Sequence, residues 1–216
     1  MHRPALEFLR GDPVLARLIE EIGPPTLAAS RQPTFQSIAR AIIYQQLSGK
    51  AAETILQRFV ALFGKRVGGF PDSEEVLSMP PRQLRRAGLS AAKAQAIQDL
   101  ARRTRDGLVP TLAQCDELTD AQLVDVFTSI KGVGPWTVEM LLIFNLGRPD
   151  VLPHRDLGVR RGFQVAHKLR KMPAPERVER EGKKWAPHRT IAAWYLWRAA
   201  DGAKEKQKKV KSKKKK

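Results

Sequence analysis

The chain has 216 residues and a formal net charge of +17, with 39 lysines and arginines against 22 acids. Its one cysteine, Cys115, excludes an internal disulfide, a four-cysteine zinc site and an iron–sulfur cluster. No apolar run reaches the length of a membrane span, and the start, Met1 to Glu7, lacks the apolar core of a signal peptide, so no membrane association is expected.

In chain order, almost every segment reads as helix. Val14 to Ile22 is amphipathic and stops at Gly23-Pro24-Pro25. Phe35 to Phe63 carries a long apolar periodicity, interrupted at Gln45-Gln46-Leu47-Ser48-Gly49, where Ser48 suits an N-cap. Gly64 to Ser73 reads as a glycine-rich turn, Pro81 to Ala87 as a short helix halted by Gly88, and Ala91 to Arg103 as a helix capped by Ser90. Leu123, Val124, Phe127 and Ile130 fall at helix spacing, and Pro135 opens a second helix through Phe144. Asn145 to Asp150 reads as loop, Val151 to Arg155 as extended chain, Asp156 to Leu169 as helix, and Thr190 to Ala200 as an aromatic-rich helix. From Lys204 the composition predicts disorder. That tail holds nine lysines and one glutamate, a net +8, so the body keeps +9 and is basic without it. A basic body points to a polyanion partner.

Four features could carry chemistry. The first is Lys131-Gly132-Val133-Gly134-Pro135-Trp136, between two helices. Two glycines suit a tight reversal, and amides exposed at a helix N-terminus suit a phosphate. Read blandly, it is only a compact helix–helix turn. The second is Asp156, either an ordinary N-cap or a carboxylate placed where positive charge develops; the two roles are compatible. The third is the aromatic set Trp136, Trp194, Tyr195 and Trp197. Core packing is the plainer expectation for Trp194, whereas Trp136 opens a helix beside the phosphate turn, where an aromatic face suits an extruded base. The polar break Tyr44 to Ser48 reads equally as a helix kink or as a loop that enters the base stack.

Taken together, Ala39 to Ala52, Ile130 to Val138, Val151 to Val159 and Pro187 to Arg198 resemble, in order, four blocks of the alkylpurine DNA glycosylases. These are the DNA-3-methyladenine glycosylase II type of the helix-hairpin-helix glycosylase superfamily. The resemblance covers roughly Pro13 to Ala200 and leaves out the lysine tail. It implies an all-α, two-lobed fold with the active site in the interlobe cleft, in the compact form without an N-terminal β domain. Residues 33–147 would form the central bundle, 1–32 and 148–203 the terminal lobe, and 204–216 the disordered tail.

The resemblance makes Asp156 the catalytic carboxylate and gives a base pocket of Trp136 and Trp197 with Tyr44, Gln45 and Met140. DNA contacts would come from Lys131, Gly132, Val133, Gly134, Thr137, Lys50 and Arg155, with Gln46 or Leu47 as the wedge. Arg155 stands where many members carry a second acid, which implies a phosphate contact rather than a carboxylate pair. Trp136 stands where strand-cleaving relatives place a lysine nucleophile, which implies base removal without strand cleavage. No cofactor is expected beyond a structural monovalent cation that the carbonyls of Ile130 and Val133 could hold. The expected partner is double-stranded DNA with alkylated bases and the expected state a monomer, in the cytoplasm or nucleoid of a prokaryote or the nucleus of a eukaryote. Two alternatives stay open: a non-catalytic DNA-binding module, and a glycosylase for deaminated or mispaired bases.

Overall fold

The computed structural model describes the backbone of residues 2–47, 49–64 and 69–213, and side chains as far as Lys204. The expected cap at Ser48 lies outside the described residues. Those residues form α1 (Arg3–Leu9), α2 (Pro13–Ile22), α3 (Thr34–Tyr44), α4 (Gly49–Ala61), α5 (Ser73–Ser78), α6 (Pro81–Leu84) and α7 (Ala91–Arg105). They continue with α8 (Leu112–Glu117), α9 (Asp120–Thr128), α10 (Pro135–Met140), α11 (Leu157–Ala166), α12 (Pro175–Gly182) and α13 (Arg189–Lys213). No strand occurs among them, and no described helix is long and apolar enough to cross a membrane.

Helix starts follow local chemistry. Asp72 with Glu75, Thr111 with Gln114 and Thr119 with Gln122 each form a reciprocal capping box, which satisfies two orphan N–H groups at once. Beyond Met140 the helix widens into a π-helical turn over Leu141–Leu146, so the loop expected from Asn145 starts later. The lysine-rich tail, expected to be disordered, continues α13 to Lys213. Lysine, glutamate and glutamine are good helix formers, and extending a nucleated helix costs far less than starting one.

The chain divides into two compact units. One is Ala29–Leu146, with α3 to α10 around a core that includes Phe35, Ile42, Phe59, Ile97, Leu100 and Phe127. Its edges lie four residues before and one residue before those expected for the central bundle. The other unit joins Met1–Ala28 to Gly147–Lys216. There, α1, α2, α11 and α13 bury Leu15, Leu18, Val159, Phe163, Trp185 and Tyr195 together. Each such apolar side chain contributes on the order of 2 kcal/mol.

Two features fix this second unit. Gly162 of α11 lies against the backbone of α13: a Cβ there would sit 1.8 Å from the carbonyl oxygen of Leu196. The helices therefore approach as closely as they do because residue 162 has no side chain. Asp12 caps α2 through the N–H groups of Val14 and Leu15 and also accepts from the Trp185 indole at 2.9 Å and the Lys184 ammonium at 2.7 Å. Burial pushes its carboxyl up, but Lys184, Trp185 and the two backbone donors outweigh it and bring the pKa down to about 2.

Candidate active site

In the unit of residues 29–146, α9 and α10 are joined by Ser129–Gly134. Ile130 and Val133 are buried and seat this hairpin on the core. Gly132 has φ +77°, and a Cβ would meet the Ala96 Cβ at 3.0 Å, so glycine is required there both by conformation and by space. Gly134 differs. Its φ is −103°, open to any residue, and nothing lies within 4 Å of a Cβ. The reversal expected to need both glycines needs only Gly132.

The hairpin amides are not equivalent. Val133 donates its N–H to the Ile130 carbonyl at 3.1 Å, and Lys131 donates its own to Asp99 at 3.1 Å. Gly132 and Gly134 have no hydrogen-bond acceptor among the described residues. The expected phosphate grip by three amides therefore narrows to these two, because a tight turn consumes the middle one. Thr137, also expected to touch DNA, is buried, and its hydroxyl accepts from the Gln45 amide at 3.1 Å. As the third residue of α10 its side chain turns inward, toward the end of α3.

Gln45, expected in the base pocket, spends its side-chain nitrogen on the hairpin: besides Thr137 it donates to the Gly132 carbonyl at 2.9 Å. Tyr44 is half-buried and donates its hydroxyl to Glu53 at 2.5 Å. Burial and then the Glu53 carboxylate push that phenol above its ordinary value. Gln46 and Leu47 are exposed on the turn that follows, with Gln46 at φ +57°. For a residue other than glycine that backbone costs about 1–2 kcal/mol and persists only where its surroundings enforce it. Lys50 and Lys131 are exposed, and Trp136 and Met140, one turn apart on α10, are half-buried on a shared face.

In the other unit Asp156 caps α11. Its Oδ1 accepts the Val159 N–H at 2.8 Å and the Trp197 indole N–H at 2.8 Å. Both readings of Asp156 thus stay compatible: it is a cap, and it is also fixed from the side by α13. Trp197, expected as a pocket aromatic, contributes through its N–H, whereas Trp194 belongs to the core. A Cβ on Gly158 would come 2.7 Å from Trp197 Cδ1 and 3.0 Å from Asp156 Oδ1, so the absent side chain is what admits the indole. Sequence reasoning passed over Gly158 and Gly162, although two glycines four apart on a helix signal close packing. Arg155 is exposed beside the carboxylate.

A model of the HhH-GPD superfamily of base excision DNA repair proteins matches residues 39–188, a stretch that holds the hairpin, Gly158 and Asp156. The chain belongs to this superfamily. It is 39% identical to DNA-3-methyladenine glycosylase 1 of Schizosaccharomyces pombe over 186 residues, covering 85% of this chain and 81% of that one. Among solved structures, a 3-methyladenine DNA glycosylase of the same yeast, in complex with abasic DNA, superposes with a TM-score of 0.84 at 38% identity, over 90% of this chain and 95% of that chain. A DNA-3-methyladenine glycosidase of Bacillus halodurans gives a TM-score of 0.81 at 32% identity, over 94% and 91%. As a superfamily member the chain has the all-α fold the sequence implied.

Proposed function

We propose that this chain is a monofunctional DNA glycosylase that extrudes alkylated purines from duplex DNA and hydrolyses their N-glycosidic bond. The observation that carries the reading is Asp156, a carboxylate fixed by a backbone N–H and by the Trp197 indole, within the stretch matched by a base excision repair family. The names of the relatives, DNA-3-methyladenine glycosylases at 38–39% identity, support the substrate class.

In this reading Gly132 and Gly134 offer their N–H groups to a backbone phosphate, and Lys50, Lys131 and Arg155 supply sequence-independent attraction. A monovalent cation at the carbonyls of Ile130 and Val133 is compatible with the hairpin. The Ile130 carbonyl accepts one N–H and keeps a second lone pair. Gln46 or Leu47 fills the gap in the stack, which offsets part of an unstacking cost of a few kcal/mol. Trp136 and Met140 receive the base.

A purine alkylated at a ring nitrogen is cationic and leaves as a neutral base with the bond's electron pair, so no protonation of the base is needed. Positive charge then grows on the sugar. Asp156 stabilises it, water adds to the anomeric carbon, and the water's proton passes to solvent. A Schiff base would require an amine at the sugar. Trp136 occupies the position where strand-cleaving relatives place one, and the Lys131 ammonium donates to Gln95 at 3.2 Å.

The test is release of free methylated bases from alkylated duplex DNA, followed by borohydride treatment of the mixture. Base release without a trapped covalent complex is the expected result. A trapped complex contradicts the monofunctional assignment, and binding without release favours a plain DNA-binding module.

A further inference from the structure

Lys93 is the third residue of α7, where the helix dipole disfavours a cation. Its backbone N–H is already capped by Ser90. Its ammonium reaches back to α3 and donates to the carbonyl of Ile43 at 2.9 Å and that of Gln45 at 2.7 Å. Burial pushes this lysine below its ordinary pKa, so the contact costs desolvation as well as a poor helix position. At the C-terminal end of α3 a cation is favoured and caps the last carbonyls, so the contact ties the start of α7 to the end of α3.

The two carbonyls lie at the end of α3, immediately before Gln46 with its left-handed backbone. The Gln45 side chain meanwhile ties the same turn to Gly132 and Thr137 of the hairpin. The same helix, α7, also supports the hairpin: Ala96 lies against Gly132, Asp99 accepts the Lys131 N–H, and Gln95 accepts from the Lys131 ammonium. Phosphate turn and wedge turn are therefore braced on one helix and joined directly by Gln45.

We propose that Lys93 is a positioning residue for base extrusion: by clamping the end of α3 it holds the Gln46–Leu47 turn at a fixed register to the hairpin, so that gripping the backbone and entering the base stack are one event. The proposal rests on the glycosylase reading above. Without the clamp the strained turn relaxes, and DNA held by the hairpin is gripped but not opened.

The experiment uses the full chain with Lys93→Met and, as a milder cut in the same brace, Gln45→Ala. Each is measured for thermal unfolding, for affinity to a duplex carrying 2-aminopurine beside a tetrahydrofuran abasic site, for the fluorescence rise of that probe on binding, and for single-turnover release from methylated duplex. Wild type should bind, raise the fluorescence and release bases. If it releases none, the glycosylase reading falls and this proposal with it.

For folded variants, affinity within about twofold of wild type is expected, with a diminished fluorescence rise and release slowed about tenfold or more, the scale of a lost charge-assisted hydrogen bond. Release and fluorescence equal to wild type in a folded variant would overturn the proposal alone, as would an equal fall in affinity and rate with the fluorescence of bound DNA unchanged. Should Lys93→Met fail to fold, Gln45→Ala decides on the same criteria.

Discussion

The indole N–H of Trp197 donates to Oδ1 of Asp156 at 2.8 Å, and Gly158 is the residue that leaves room for it. One carboxylate oxygen thus takes a donor from its own helix and another from α13, which fixes the carboxylate's rotation. Trp197→Phe keeps an aromatic ring, smaller than the indole, and removes the donor. Base release should slow about tenfold, with DNA affinity within about twofold. Gly158→Ala should do the same by crowding the indole away. Single-turnover kinetics on methylated duplex check both. An unchanged rate in Trp197→Phe would restrict the indole to packing against the base.

The second helix-contact glycine bears on stability instead. Gly162→Ala would place a Cβ 1.8 Å from the Leu196 carbonyl oxygen, so α11 and α13 must separate. A loss of about 3 kcal/mol is expected, with Tm lower by about 10 °C. Thermal and urea unfolding measure it, and a change below about 1 kcal/mol would mean that the two helices give way more easily than their packing implies.

Gly134 offers the opposite case. Nothing in the chain lies near a Cβ there and its φ suits any residue. Gly134→Ala should leave Tm unchanged and still weaken DNA binding several-fold, because the methyl group would face the phosphate. Equal affinity would mean that the ligand does not approach this turn closely.

Asp12 links stability to pH. Its folded pKa of about 2 lies below the ordinary aspartate value of 3.8, so its contribution is complete above about pH 4 and is lost as pH falls from there toward 2. The shift corresponds to roughly 2 kcal/mol. Asp12→Asn should be less stable at neutral pH by about that amount and should flatten the acid limb of the stability curve between pH 4 and 2, measured by urea unfolding at each pH. A parallel acid limb in wild type and variant would assign that limb to other carboxylates.

Much of this was legible in the chain. The hairpin, Asp156 and the helical class follow from glycine spacing, caps and apolar periodicity, all of them local signals. The helices α1, α5 and α8 were missed, although the capping boxes Asp72 to Glu75 and Thr111 to Gln114 announce the last two. What sequence could not give were contacts between distant segments. That Gln45 donates to Thr137, that Trp197 reaches Asp156, and that Lys93 seals α3 depend on which helix faces cross. As far as Lys213 the tail continues α13 where composition predicts disorder, because a lysine-rich composition signals disorder and helix propensity alike.

Removal of Lys204 to Lys216 takes away a net charge of +8. DNA binding should weaken, and the slope of log affinity against log salt should flatten. Single-turnover release at saturating protein should stay the same, and a slower chemical step would place the tail in the reaction itself.

The central claim is that Asp156 stabilises charge on the sugar. Asp156→Asn keeps an oxygen to cap α11 and accept the Trp197 N–H, and it removes the charge. Single-turnover release of methylated bases from duplex DNA should fall about 100-fold or more while the variant binds that duplex as wild type does. Release at a rate near that of wild type would contradict the assignment.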